Sequence, residues 1–159
     1  MDLTIIVAVS ENNVIGNGGK LPWRIKEDML RFRRLTLGHP VIMGRKTYEA
    51  LPKRFSPLPD RKNIVLSRSL QSKEGIYVAR TIDEAVELMG GMNSYIIGGE
   101  GVYDSFLPLS NRIELTRVHR SYEGDAFFPD VDFGEWDLIQ EVIGSTSGFE
   151  YSFLTYKRN

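Results

Sequence analysis

The chain has 159 residues, 42% hydrophobic and 26% charged, with a net charge of −1. That is enough apolar material for one domain over 1–159 with its own core, and too balanced a composition for a disordered chain. The absence of cysteine excludes disulfides and thiolate chemistry, and only two histidines, His39 and His119, argue against a zinc or iron centre.

The small net charge conceals a division. From Lys20 to Arg68 there are 13 basic residues against 4 acidic ones, a local +9, and the remainder carries −10. The excess points to an anionic ligand for the first half, or is an ordinary solvated surface, as at Arg31, Arg33 and Arg34. Nucleic acid fits less well as a primary ligand. The acidic half would repel a polyanion, and no basic run is interleaved with stacking aromatics.

The first apolar run, 3–9, is too short to cross a bilayer and follows no basic leader, so it reads as a buried strand of a cytoplasmic protein with no membrane partner. A glycine-rich loop then runs from Gly16 into Leu21-Pro22-Trp23. Beyond it a helix is expected over 25–36, with Ile25, Met29, Phe32 and Leu35 recurring at helical spacing. Asp28 lies one turn before Phe32, on or beside that apolar stripe. A carboxylate there must be paired, neutralised or used by a ligand.

Further strands at 41–43, 63–66, 76–78, 94–97 and 112–118 alternate with helices at 46–51, 82–89 and 100–107. Thr81 with Glu84 three residues later marks the start of the third helix. The alternation predicts an α/β fold with a largely parallel sheet. The segment 53–60, with two prolines, reads as a surface loop. Strands at 136–143 and 149–156 around a turn region at 144–148 predict an antiparallel hairpin at the sheet edge. No internal repeat or domain boundary is visible, and a monomer is expected because 159 residues can bury their own core.

Two strand-to-helix turns bear on ligand binding: Gly44-Arg45-Lys46-Thr47 after one strand, and Gly98-Gly99-Glu100-Gly101 after another. Free N–H groups at a helix start suit phosphate, and glycine permits close backbone approach. Neither turn is a G-x-G-x-x-G or P-loop motif, so each alone is also consistent with a plain tight turn. Together with the basic half, they favour a dinucleotide with several phosphates.

In order along the chain stand Val14-Ile15-Gly16, Leu21-Pro22-Trp23, Asp28 with Phe32, Val41 to Thr47, Ile97-Gly98-Gly99, Glu123-Gly124-Asp125 and Phe128-Pro129. This set resembles the bacterial dihydrofolate reductase family over essentially the whole chain. The resemblance implies a central, mostly parallel twisted sheet of about eight strands with an antiparallel C-terminal hairpin, flanked by about four helices. It implies NADPH as cofactor and reduction of 7,8-dihydrofolate to tetrahydrofolate for one-carbon metabolism, with antifolates as inhibitors.

The resemblance also assigns roles. Asp28, Trp23 and Leu21 would be catalytic, with Asp28 binding the pterin. Ile6, Val7, Met29, Phe32, Leu51 and Leu58 would form the apolar wall, Arg61 would hold the glutamate carboxylate, and Thr116 would fix Asp28. On the cofactor side it implies Ala8, Ile15, Asn17, Gly44, Arg45, Lys46, Thr47, Leu66, Ser67, Arg68, Ile97, Gly98, Gly99, Gly101, Val102 and Tyr103, with a cis peptide between the paired glycines. Asn17 to Lys20 would belong to a mobile lid supported by Asp125. A phosphate on each helix start would explain why Arg45 and Lys46 need no acidic partner. Glu100 departs from the family pattern and is expected either to repel phosphate or to point into solvent and cap its helix. Two alternatives stay open: a pyrimidine reductase of the riboflavin pathway, and a catalytically silent folate- or nucleotide-binding module. Asp28 with Phe32, and Arg61, favour folate over the first. A silent module would need neither the Leu21-Pro22-Trp23 loop nor Asp28.

Overall fold

The computed structural model describes all 159 residues. The first apolar run forms β1 (Leu3–Ser10), followed by a short strand, β2 (Val14–Gly16), and helix α1 (Lys26–Thr36). There follow β3 (Val41–Gly44), α2 (Arg45–Ala50), β4 (Asn63–Leu66), β5 (Ile76–Ala79), α3 (Ile82–Leu88), β6 (Ser94–Gly98), α4 (Glu100–Phe106) and β7 (Arg112–Val118). The two-residue β8 (Ala126–Phe127) precedes the C-terminal hairpin, β9 (Trp136–Thr146) and β10 (Phe149–Arg158).

Eight strands form one sheet in the order β5-β4-β3-β6-β1-β7-β10-β9. The pairs from β5 through β7 are all parallel, and β10 pairs antiparallel with both β7 and β9. The third helix starts as the sequence predicts: the Thr81 hydroxyl accepts from the Glu84 N–H at 3.1 Å, and the Glu84 carboxylate accepts from the Arg80 N–H at 2.6 Å. One face of the sheet carries the main core, including Ile5, Val7, Val9, Ile96, Phe106, Ile113 and Leu115.

The hairpin differs from the sequence expectation. Both strands run longer, and Phe149 pairs with Thr146, leaving Ser147-Gly148 as a two-residue turn. Both turn residues have positive φ, +48° and +82°, the backbone twist that tight hairpins favour. Gly144 therefore lies within β9, where a Cβ would stand 2.5 Å from the Tyr151 ring. The outermost strand leaves Leu138, Ile139, Val142 and Ile143 exposed, and a bulge at the Thr155/Tyr156 register breaks its regularity. A bulged, acid-bearing edge resists strand addition.

The 53–60 segment is more ordered than its prolines suggested. It contains a 3₁₀ turn, Lys53–Phe55, and buries Leu58. The Asn63 carboxamide holds both the N–H and the C=O of Leu58 at 2.9 Å. The small β2–β8 sheet was not expected: its strands are too short to show periodicity, and they pair across more than a hundred residues.

Candidate active site

Strand register creates the cleft. Beside β6, β1 pairs only over Leu3, Ile5 and the residue between, yet beside β7 it continues to Ser10. Beyond Ile5 and Ile96 the two strands are no longer paired, while β6 continues beside β3 to Gly98. An open α/β sheet binds ligands at such a division, beyond the carboxyl ends of its strands. The Tyr103 hydroxyl enters here and donates to the Ile6 carbonyl at 2.8 Å. Burial, reinforced by the Asp28 charge, raises the Tyr103 pKa well above its ordinary value, so its phenol stays protonated.

Asp28 stands in the first turn of α1, where the helix start favours an acid. Its Oδ1 accepts from the Thr116 hydroxyl on β7 at 2.6 Å. Burial raises the Asp28 pKa, while the Thr116 hydrogen bond and the Arg31 charge oppose that rise. Trp23 is buried just ahead of the helix, 5.2 Å from the Tyr122 ring, and its indole N–H has no protein partner. A buried donor without a partner, close in sequence to a half-buried acid, suits a polar ligand edge.

Alternation sorts the apolar residues. Ala8 and Ile6 pair with Thr116 and Glu114 and share their face of the sheet. Val7 does not: its side chain lies on the opposite face, in the core with Leu115. Phe32 and Leu51 pack with Leu58, Val41, Met43, Tyr48 and Val65. The expected helix stripe divides, because Ile25 is 2% exposed but Met29 is 50% exposed. Leu21 is equally open. Arg61 is anchored rather than free, donating from Nε to the Pro59 carbonyl at 2.8 Å and from Nη1 to the Thr36 hydroxyl at 3.1 Å. Partial burial and the neighbouring Arg33 lower its pKa, with Asp60 opposing.

At the other end of the cleft, Gly44 and Gly99 are the N-caps of α2 and α4, and neither helix has a side-chain cap. The Gly98–Gly99 peptide is cis. Gly98 has φ +120°, and a Cβ there would press on the Tyr103 ring at 3.3 Å, so only glycine fits. A Cβ on Gly99 would meet the Thr47 hydroxyl at 3.3 Å, and one on Gly44 would meet Val102 at 3.1 Å. Two uncapped helix starts with exposed Arg45, Lys46 and Arg68 nearby in sequence form a donor set that fits a multiply phosphorylated dinucleotide.

Two expectations about this end need correction. Arg45 does have an acidic partner: its Nε donates to Glu49 at 3.3 Å, one helical turn on, and its Nη1 to Ser69 at 2.7 Å. Both ends of the ion pair are about half exposed, so it is worth little and yields readily to an anion. Glu100 neither caps its helix nor points free into solvent. Its Oε1 accepts from the Phe127 N–H at 2.7 Å, tying α4 to β8. Ser67 uses its oxygen to accept from the Ser69 and Leu70 N–H groups, which shapes the turn after β4. Leu66, Ile97, Val102 and Ile15 are packed into the two core clusters around this end.

The glycine-rich loop is held down. Asn17 and Lys20 exchange backbone hydrogen bonds at 2.8 and 3.2 Å. The Asp125 carboxylate accepts from the Gly18 N–H at 3.1 and 3.3 Å, and the Asn17 amide donates to the Glu123 carbonyl at 3.3 Å. A 650 Å³ concavity beside α4, lined by Asn12, Glu100, Asp104 and Asp130, includes only Gly101 of the expected site residues. Its acids make it unsuited to phosphate.

A sheet divided at its carboxyl ends, with uncapped helix starts on one side and a half-buried carboxylate on the other, has the arrangement of a nucleotide-dependent enzyme. Residues 2–158 match the family model described as dihydrofolate reductase. A dihydrofolate reductase from Neisseria meningitidis serogroup A is 41% identical over 162 residues, covering 99% of each chain. One from Bacillus subtilis is 33% identical and covers 98% of this chain and 94% of its own. The Enterococcus faecalis dihydrofolate reductase complexed with NADP(H) and RAB-propyl superposes with a TM-score of 0.90 at 31% identity, covering 99% and 96% of the two chains. The chain belongs to the dihydrofolate reductase family.

Proposed function

We propose that Asp28, supported by Thr116 and Trp23, carries the reaction that family membership assigns to this chain: NADPH-dependent reduction of 7,8-dihydrofolate to 5,6,7,8-tetrahydrofolate. The single observation behind this reading is the Asp28–Thr116 hydrogen bond, 2.6 Å long, on the sheet face shared by Ile6 and Ala8. When bound, NADPH supplies the hydride that adds to C6. Asp28 then has two tasks, pairing with the 2-amino group and N3 of the pterin and favouring the proton that N5 must gain. Its raised pKa keeps it sensitive to the protonation of its partner, and polarisation of the ring carries its effect to N5.

The remaining residues bind and exclude water. Phe32, Leu51 and Leu58 line the benzoyl side, and Arg61, held by Thr36 and Pro59, presents its remaining guanidinium donors to a carboxylate. Gly44 to Thr47, Ser67, Arg68 and the Gly98-Gly99 turn bind the phosphates. Asn17 to Lys20, latched through Asp125, close over the reacting ring. We place the chain in the cytoplasm as a monomer; no helix is long and apolar enough to cross a membrane.

The direct test follows NADPH absorbance at 340 nm with and without dihydrofolate. A dihydrofolate-dependent loss of absorbance is expected, and its absence would remove the reading. The same assay probes the cationic turn. Arg45→Leu should raise the KM for NADPH about tenfold or more while changing that for NADH less, because a phosphate contact of this kind is worth roughly 1.5–3 kcal/mol. Equal changes would show that Arg45 does not read the 2′-phosphate.

A further inference from the structure

Asp28 and Thr116 form one of two rungs between α1 and β7. The second rung lies one helical turn further along α1 and two residues back along β7. There Arg31 Nη2 donates to Glu114 Oε2 at 2.5 Å. The two side chains are 11% and 5% exposed, which makes this a buried ion pair. Glu114 is saturated with donors: Thr155 Oγ1 reaches Oε2 at 2.7 Å, and Arg112 Nε reaches Oε1 at 3.1 Å. Arg31 also lies over the Phe153 ring, 4.7 Å from its centroid. Both rungs rest on β10, because Phe153 pairs with Thr116 and Thr155 pairs with Glu114.

An apolar pair would dock a helix on a sheet at less desolvation cost, so packing alone does not require these charges. Phe32 and Thr36 hold the later turns of α1, in the apolar cluster and under Arg61. Arg31 adds a charge-assisted contact one turn from Asp28 and so fixes the rotation of the turn that carries it.

We propose that Arg31 is a positioning residue for this reaction: its ion pair with Glu114 fixes the seat of Asp28. The proposal rests on the reading of Asp28 given above. Thr116 from β7 and Arg31 from α1 act on Asp28, and Tyr151 from β10 and Tyr103 from α4 feel its charge. Glu27 precedes it in the first turn of α1, and Glu114 is the partner of Arg31. Arg31 is the cation among them.

The test uses the double variant Arg31→Leu/Glu114→Leu, which exchanges the whole pair for apolar side chains, beside Arg31→Lys and Asp28→Asn. Arg31→Leu alone would strand Glu114 and confuse folding with function. The double variant should fold, with a cooperative melt, and lose on the order of ten- to a hundredfold in kcat/KM for dihydrofolate at pH 7. Carboxyl ¹³C NMR of the ligand-free protein reads the Asp28 midpoint in each variant. Arg31→Lys keeps the charge without the fork, so it should retain the Asp28 midpoint while recovering only part of the lost kcat/KM.

A folded double variant with parental kcat/KM would overturn the proposal. Should the double variant not fold, Arg31→Lys decides alone: parental kcat/KM overturns the proposal, and a reduced value with an unmoved midpoint supports it. Failure of the Asp28 reading is distinguishable, because then Asp28→Asn would itself show parental activity.

Discussion

Asp28→Asn is expected to lower kcat for dihydrofolate by about 10²- to 10³-fold at pH 7, the range associated with losing one positioned acid–base group. Asparagine keeps an oxygen that accepts from Thr116, so the seat survives and the loss isolates the charge and the proton. The deficit should shrink as the pH is lowered, because more of the substrate then arrives already protonated. A ratio of parent to variant that stays flat from pH 5 to pH 9 would exclude Asp28 from proton management.

The same substitution should stabilise the ligand-free protein. Burial raises the folded-state pKa of Asp28 above its unfolded value. A group of that kind contributes its stabilisation below the unfolded pKa and loses it as the pH rises through the folded one. At pH 7, above the unfolded-state pKa, the parent therefore bears a cost of burying this carboxyl group that the variant lacks. Asp28→Asn should melt at a higher temperature at pH 7, and the difference should close toward pH 3. A stability gain coupled to an activity loss is the trade expected where an active site keeps a costly group. A variant less stable than the parent at pH 7 would show that the Thr116 and Arg31 contacts outweigh burial.

Much of this arrangement was legible because it is local. An acid in an apolar helical stripe, a capping box at Thr81 and glycine-ended strands each declare themselves within a few residues. The Arg45–Glu49 pair was equally local, but a helix start placed one residue late hid its i, i+4 spacing. Val7 could have been assigned to the core by alternation, since Ile6 and Ala8 flank it on a strand. What could not be read was pairing at distance. Glu114 signals itself as an acid in an apolar strand, two residues from Thr116, and Arg31 as a cation three residues after Asp28. That they meet depends on docking residues 83 apart in sequence. Likewise, nothing near Glu100 announces that it will hold the Phe127 N–H, because β8 acquires its place only by pairing with β2.

That small sheet sets the second large expectation, Gly124→Ala. A Cβ at Gly124 would lie 2.3 Å from Val14 Cγ1 and 2.7 Å from the Gly16 carbonyl oxygen. Neither can yield cheaply. Val14 is fully buried and paired with Phe127, and the Gly16 oxygen accepts from the Asp125 N–H at 3.1 Å. The 121–125 loop must back away instead, and the bonds from Gly18 to the Asp125 carboxylate lengthen with it. Overpacking of this kind costs roughly 1–3 kcal/mol of stability. The catalytic cost should be larger. If the loop from Asn17 to Lys20 completes the water-free site, a displacement of about 1 Å lowers the hydride-transfer rate by on the order of 10²-fold. Single-turnover measurements with NADPH and its 4-deuterated form separate that step from product release. Asp125→Asn, which leaves the packing intact and weakens only the charge in the latch, should lose less than Gly124→Ala. A destabilised Gly124→Ala protein with the parental hydride-transfer rate would mean that the lid closes without its latch, and that Asp125 serves folding alone.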